Sequence, residues 1–301
     1  MTKSLSYNVP TDMPPNECEG AIHIIRGGEG MHITLTGNLG SGKSTIAKIM
    51  SDHYGYTIYS TGKIQRELAE ERGLTVLEMN KLMQQDHSFD NIIDEKVTQL
   101  SRDSEKDLFI DSRLAWHFAE RAFKVFLSVS IDEAARRVYN DDKRGEVETY
   151  SSIEDAKKNL IERARTEDVR YKEIYGLDYF NLNNYDLVLD STFTKPEVLA
   201  SVLLNEKKRY EEILQKAGLT ETFDKNKAED AAKMRLAPRI LLAPARLLGI
   251  ASGNTRDNDE VYESGAVVRS GAEDIEIVSG RAEIEKAARE GYEFVSVGYV
   301  R

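Results

Sequence analysis

Cysteine is nearly absent from this sequence, with a single residue, Cys18, among 301. One thiol excludes a disulfide within the chain, so we expect a reducing, cytoplasmic setting. No apolar run approaches the roughly 20 residues that span a bilayer. Residues 1–30 lack the basic start and apolar stretch of a signal peptide. These absences predict a protein without a membrane partner.

Positive charge is also in deficit, with 41 Lys and Arg against 52 Asp and Glu and a net charge of −11. Proteins that bind nucleic acid usually carry a basic surface, so we expect no nucleic-acid partner. The five histidines show no metal-ligand spacing. Three of the six prolines, Pro10, Pro14 and Pro15, lie near the start of the chain and indicate a loose leader over residues 1–30.

A phosphate-binding loop is predicted at residues 37–45, which read GNLGSGKST. The spacing matches Gly, four residues, then Gly-Lys-Ser. A chance glycine turn is the alternative, but an apolar strand over 31–36 and a helical pattern over 44–53 supply the expected context. Loop amides and the helix N-terminus would hold phosphate oxygens, Lys43 would reach the β- and γ-phosphates of ATP, and Ser44 would ligate Mg²⁺. The predicted ATP-binding residues are Gly37, Asn38, Leu39, Gly40, Ser41, Gly42, Lys43, Ser44 and Thr45.

Short apolar strands alternate with helices over residues 31–217. The predicted strands are 31–36, 56–59, 108–110, 122–129 and 185–190. This alternation favours an α/β fold of the three-layer P-loop NTPase type, with a five-stranded parallel sheet between helices. Residues 218–233 are polar without periodicity and indicate a linker. Residues 234–301 have strand, helix and strand patterns and predict a small α+β domain.

Four stretches together resemble the nucleoside monophosphate kinases, most closely the cytidylate kinase-like group. They are the loop at 37–45, residues 60–73 (STGKIQRELAEERG), residues 109–115 (FIDSRLA), and residues 170–178 (RYKEIYGLD) with the strand at 185–190. The resemblance spans residues 31–203 and implies an ATP- and Mg²⁺-dependent phosphotransferase. Its acceptor would be a nucleoside monophosphate, with CMP or dCMP favoured.

The resemblance also implies the acceptor site. Thr61, Arg66 and Arg113 match contacts to the acceptor monophosphate, although Ser112 stands where the family usually has glycine. Asp111 would hold a metal-bound water or the acceptor ribose. The alternatives are a solvated helix charge for Arg66 and the N-cap of a helix over 113–120 for Asp111.

Lid arginines are a further implication of the resemblance, because such a lid closes over the phosphates of both substrates. Arg137 is favoured over Arg144, since residues 140–143 break the family spacing. Arg163 and Arg170 lie seven residues apart, so they project from one helical face. An exposed helix charge is the alternative for Arg137. The predicted catalytic set is Lys43, Asp111, Arg137, Arg163 and Arg170.

The end of the chain has a weaker resemblance, over residues 274–300, to the ParB/sulfiredoxin-like fold. Gly280 and Arg281 stand where that fold has a glycine and an arginine at a helix start. The second expected arginine is absent, which favours a structural or regulatory role. Two other functions stay open: a kinase for another small acceptor, and a nucleotide-binding regulator that acts through residues 234–301.

Overall fold

The structure, a computed structural model, describes residues 31–61, 71–74, 88–102, 108–141, 150–218, 238–253, 259–271 and 274–300. Its strands are β1 (His32–Gly37), β2 (Thr57–Ser60), β3 (Leu108–Asp111), β4 (Ala122–Ser128), β5 (Leu187–Asp190), β6 (Arg239–Leu242), β7 (Val261–Ser270), β8 (Ile275–Ser279) and β9 (Phe294–Val300). Its helices are α1 (Lys43–Tyr54), α2 (Ser88–Ser101), α3 (Ala115–Phe118), α4 (Ile131–Tyr139), α5 (Ile153–Tyr175), α6 (Pro196–Lys216), α7 (Pro244–Leu248) and α8 (Arg281–Arg289), with a 3₁₀ turn at Leu182–Asn184.

One sheet contains all nine of these strands, in the order β2-β3-β1-β4-β5-β6-β9-β7-β8. The first six in this order are parallel to one another. Strand β1 is buried along its whole length, as expected for a strand covered on both faces. The chain leaves β1 towards β2 and β3 and later returns to β4 on the other side. Ligands in such sheets bind at the carboxyl ends of the strands near this reversal.

The predicted α/β class with its parallel sheet is confirmed, and the five predicted strands are all present. The strand count was wrong, because the sheet continues beyond β5. Strand β6 pairs with β5 through Leu187 with Arg239 and Leu189 with Leu241. The other three strands follow, with β9 antiparallel to β6.

The C-terminal strands also share the core of the first strands. On one face of the sheet, Phe294 belongs to the cluster that contains Ile46 of α1 and Leu203 of α6. On the other face, Val295 and Ile284 pack in a cluster with Trp116 and Tyr185. Strand pairing and shared burial therefore join residues 238–300 to the first part of the chain.

The boundaries of the predicted domains stay a prediction. Residues 1–30 and nearly all of the predicted linker at 218–233 fall outside the described residues. Within the described part of the chain, no helix is both long enough and apolar enough to cross a bilayer.

Candidate active site

The loop between β1 and α1 has a backbone that only glycine suits at two positions. Gly37 has φ +154°, and a Cβ there would lie 2.2 Å from the carbonyl oxygen of Leu127. Gly40 has φ +75°, and a Cβ there would lie 2.9 Å from the carbonyl oxygen of Ala134. The Asn38 side chain accepts a hydrogen bond from the Val129 amide at 3.2 Å. The loop is therefore fitted closely against the end of β4 and the start of α4.

Gly42 is the N-cap of α1, with φ +90° and no side chain bonded to the first amides of the helix. Ser44 and Thr45 follow in the first turn and are exposed. Ser41 is buried and its hydroxyl donates to the Asn38 carbonyl at 2.8 Å, while Leu39 packs against the core beside α4 and α5. The nine predicted residues thus run from the last residue of β1, through a turn at residues 38–42, into the first turn of α1.

Lys43 folds back over the loop. Its Nζ donates to the carbonyl oxygens of Asn38 at 2.8 Å and Gly37 at 3.2 Å. Burial, helped by the charge of Arg113 and opposed by that of Asp111, lowers the pKa of Lys43 to about 7. The amine therefore lies in a site that disfavours its charge and would favour it again once an anion binds.

Asp111 ends β3 between two neighbouring strand ends, paired with Leu35 of β1 and Ser60 of β2. Thr61, half-buried, follows Ser60 directly. Burial raises the pKa of Asp111, against the charges of Lys43 and Arg113, which lower it. The N-cap interpretation of Asp111 was wrong, because the helix that follows spans only Ala115–Phe118 and its N-cap is Leu114.

Arg113 connects the loop with α5. It donates to the carbonyl oxygen of Gly37, and its Nε lies 3.0 Å from Oε2 of Glu167. The other oxygen of Glu167 accepts from Nε of Arg163 at 3.2 Å. Sequence reasoning missed Glu167. The only available signal was its position four residues after Arg163, on a helix already crowded with charges.

Arg170 lies farther along α5. Its guanidinium stacks 4.9 Å from the centre of the Tyr171 ring and donates to the Tyr171 hydroxyl at 3.2 Å. Burial raises the pKa of Tyr171, with smaller effects from the charges of Arg170, Glu167 and Arg113. The structure thus brings Arg113 and Arg163 together at Glu167 and packs Arg170 against Tyr171. The predicted acceptor residue Arg66 and the less favoured Arg144 lie outside the described residues.

Arg137 lies on the other side of the loop, towards β5. Its Nε donates to Glu133 at 2.8 Å, and Nη2 donates to the carbonyl oxygens of Ser191 and, at 3.2 Å, Thr192. The Ser191 hydroxyl lies 2.9 Å from the carbonyl oxygen of Ser41 in the loop. Arg137 therefore braces the turn after β5, whereas Arg113 contacts the loop from the β3 side.

Known proteins match the part of the chain that forms this site. The sequence model of the cytidylate kinase-like family matches residues 32–193. Cytidylate kinase of Methanococcoides burtonii is 34% identical over 173 residues, which are 58% of this chain and 94% of that enzyme. Cytidylate kinase of Haloarcula marismortui is 36% identical over 182 residues, 60% of this chain and 91% of that enzyme. A solved shikimate kinase of Acinetobacter baumannii has 16% identity and a TM-score of 0.41, covering 60% of this chain and 94% of its own.

Proposed function

This chain belongs to the cytidylate kinase-like family, and from that premise we propose that it is an ATP- and Mg²⁺-dependent nucleoside monophosphate kinase that favours CMP or dCMP. One observation carries the proposal. Lys43 of the phosphate loop and Arg113 after β3 both donate to the carbonyl oxygen of Gly37. A cation suited to the donor phosphates and a cation suited to the acceptor phosphate therefore meet at one atom.

Phosphoryl transfer requires mainly positioning and charge neutralisation. An oxygen of the acceptor phosphate would attack the γ-phosphorus of ATP, and the bond from that phosphorus to the bridging oxygen of ADP would break. The loop amides and Lys43 would hold the donor. Arg113 and Arg163, now ion-paired with Glu167, would exchange that carboxylate for phosphate oxygens, which guanidinium groups bind bidentately. Arg66 and Thr61 complete the proposed acceptor side, and Arg170 is proposed to grip the transferred phosphate together with Arg163.

The residues present fit a magnesium ion, which prefers oxygen ligands. The Ser44 hydroxyl is exposed in the first turn of α1, and the Asp111 carboxylate stands at the end of the neighbouring β3. When bound, Mg²⁺ would neutralise charge on the β- and γ-phosphates. Ser44 is the residue proposed to hold it, and Asp111 is proposed to contact a water bound to the ion or the acceptor ribose.

ADP release in a coupled assay with CMP, dCMP, UMP and AMP tests the proposal. We expect turnover with CMP or dCMP and none with Lys43→Ala, which removes the donor cation. The variant Lys48→Ala is the matched control, since Lys48 lies on the same helix in an exposed pair with Asp52. Absence of turnover with all four acceptors would overturn the assignment to nucleoside monophosphates.

A nucleotide-binding regulator is the second candidate, and the pairing of β6 with β5 favours it. That pairing joins residues 238–300 directly to the strand that precedes the turn at Ser191. Tight ATP binding without turnover of any acceptor would support this candidate over the kinase. A cytoplasmic location stays a prediction in either case.

A further inference from the structure

Arg246, in the C-terminal part of the chain, contacts the carboxyl ends of strands β4 and β5, beside the candidate site. It lies on α7, its side chain is 6% exposed, and Nη1 is 3.1 Å from Oδ1 of Asp190, which is fully buried. Nη1 also donates to the Ser128 hydroxyl at 2.9 Å. Asp274 accepts from Nη2 at 2.6 Å. One guanidinium thus joins the ends of β4 and β5 to the strand region before β8.

Asp190 links Arg246 to the turn after β5. Its Oδ1 accepts from the amide of Thr192 at 2.9 Å and from the Thr192 hydroxyl at 2.6 Å. Its Oδ2 accepts from the Ala243 amide at 3.0 Å. The Thr192 hydroxyl in turn accepts from the amide of Ser130, the N-cap of α4, at 3.0 Å. The carboxylate therefore fixes both the turn and the end of β6.

The turn contacts the phosphate loop directly. The Ser191 hydroxyl lies 2.9 Å from the carbonyl oxygen of Ser41 and 3.0 Å from that of Ser128. Arg137 donates to the carbonyl oxygens of Ser191 and Thr192. A displacement of Asp190 would therefore move the contact that supports the back of the loop. Removal of one partner from a buried ion pair leaves the other charge uncompensated, so such a displacement is expected when Arg246 is lost.

We infer that Arg246 is a positioning residue for the donor nucleotide, which acts through Asp190 and Ser191 on the phosphate loop. The inference rests on the proposed function only in that the loop binds a nucleotide. Arg246 lies outside residues 32–193, which the family model matches. The M. burtonii enzyme is 94% matched by 58% of this chain, so little of its length remains for a counterpart of the C-terminal strands. On this inference, the C-terminal segment helps to position the donor site of this chain through Arg246.

The test uses the full chain with Arg246→Met and Arg246→Lys. The control is Arg269→Met, which removes an exposed ion pair with Glu276 from the same C-terminal segment, the two side chains being 59% and 50% exposed. We measure the affinity for a non-hydrolysable ATP analogue, the KM for ATP and for the acceptor, kcat, and folding by circular dichroism. Arg246→Met should raise the Kd and the donor KM at least tenfold, with the acceptor KM within twofold of the original.

Arg246→Lys should recover part of the loss, because an ammonium keeps a charge beside Asp190 but lacks the planar fork that also reaches Ser128 and Asp274. Arg269→Met should have the same Kd, KM values and kcat as the wild-type protein. A folded Arg246→Met with unchanged donor affinity overturns the inference. An equal change in both KM values and kcat also overturns it, since that pattern reports a general structural loss.

Two further outcomes separate this inference from the proposed function. If Arg246→Met does not fold, Thr192→Val interrupts the same hydrogen-bond path. This variant should bind the ATP analogue more weakly with the acceptor KM unchanged. Unchanged affinity of Thr192→Val for the analogue overturns the inference. If the unchanged chain binds the analogue without turnover, the kinase proposal fails and the affinity comparison still decides the role of Arg246. If the unchanged chain does not bind the analogue, both proposals are overturned.

Discussion

Substitution of Gly37 by alanine gives a sharp test of the site geometry. A Cβ at Gly37 would lie 2.2, 2.8 and 2.9 Å from the carbonyl oxygen, amide nitrogen and carbonyl carbon of Leu127. All three atoms are backbone atoms of β4, which pairs with β1 at this position. A flexible side chain could turn away, but backbone cannot, so the β1–β4 pairing would have to open.

The expected cost has two parts. Strain from a backbone conformation that side chains rarely adopt costs about 1–3 kcal/mol, and forced overlap in a packed region costs about 1–3 kcal/mol. Gly37→Ala should therefore lower the free energy of unfolding by about 2–6 kcal/mol. Gly42 has φ +90° and Gly55 has φ +73°, each with open space around the added Cβ. Their alanine variants should bear only the backbone strain, which should lower the free energy of unfolding by about 1–2 kcal/mol.

Denaturant unfolding measures the stability of these variants, and ATP-analogue binding independently measures the state of the loop. Stability should fall most for Gly37→Ala and by similar, smaller amounts for Gly42→Ala and Gly55→Ala. Analogue affinity should fall for Gly37→Ala and Gly42→Ala, which alter the loop, and stay unchanged for Gly55→Ala, which alters the other end of α1. Equal stability of Gly37→Ala and Gly55→Ala would refute the close fit of the loop against β4.

Three other predictions follow from the charges of the site. Binding of the ATP analogue at pH 8 should take up about one proton, because the pKa of Lys43 is about 7 in the free protein and a bound phosphate anion raises that pKa. Calorimetry in buffers of different ionisation enthalpy measures the proton uptake, and a value of zero would contradict the prediction. Glu167→Gln should lower the free energy of unfolding by about 1–3 kcal/mol, because Arg113 and Arg163 lose an ionic partner; an unchanged melting temperature would count against it. Asp111→Asn should lower kcat about 10–100-fold without loss of stability, because burial penalises the carboxylate; unchanged steady-state kinetics would remove Asp111 from the site.

Local sequence was sufficient where the determining residues are neighbours in the chain. The loop at 37–45 contains its own glycines and lysine, and the strand and helix beside it have clear apolar patterns. The helix predicted over 44–53 was found at Lys43–Tyr54, because its apolar spacing is regular. The class of the fold followed from the alternation of these elements.

The missed features depend on contacts between distant residues. Strand β6, Arg-Ile-Leu-Leu, takes its place in the sheet by pairing with β5, a contact between distant parts of the chain that no local pattern shows. Glu167 and Arg246 are single charges among 93 charged residues, counted from 41 basic and 52 acidic ones. Their partners, Arg113 for one and Asp190 for the other, are brought close only by the completed sheet.

The position of β9 has a consequence for how the fold is assembled. It is the last of the nine strands in chain order, yet it lies inside the sheet between β6 and β7. Among the described residues, the backbone pairing of β7 and β8 with the parallel strands runs through β9, so that pairing can form only after residues 294–300 have inserted. Such late, non-local pairing is slow, and loss of this single strand would leave the outer hairpin held to β6 by side chains such as the Arg239–Glu263 pair, while β1 to β6 could still pair.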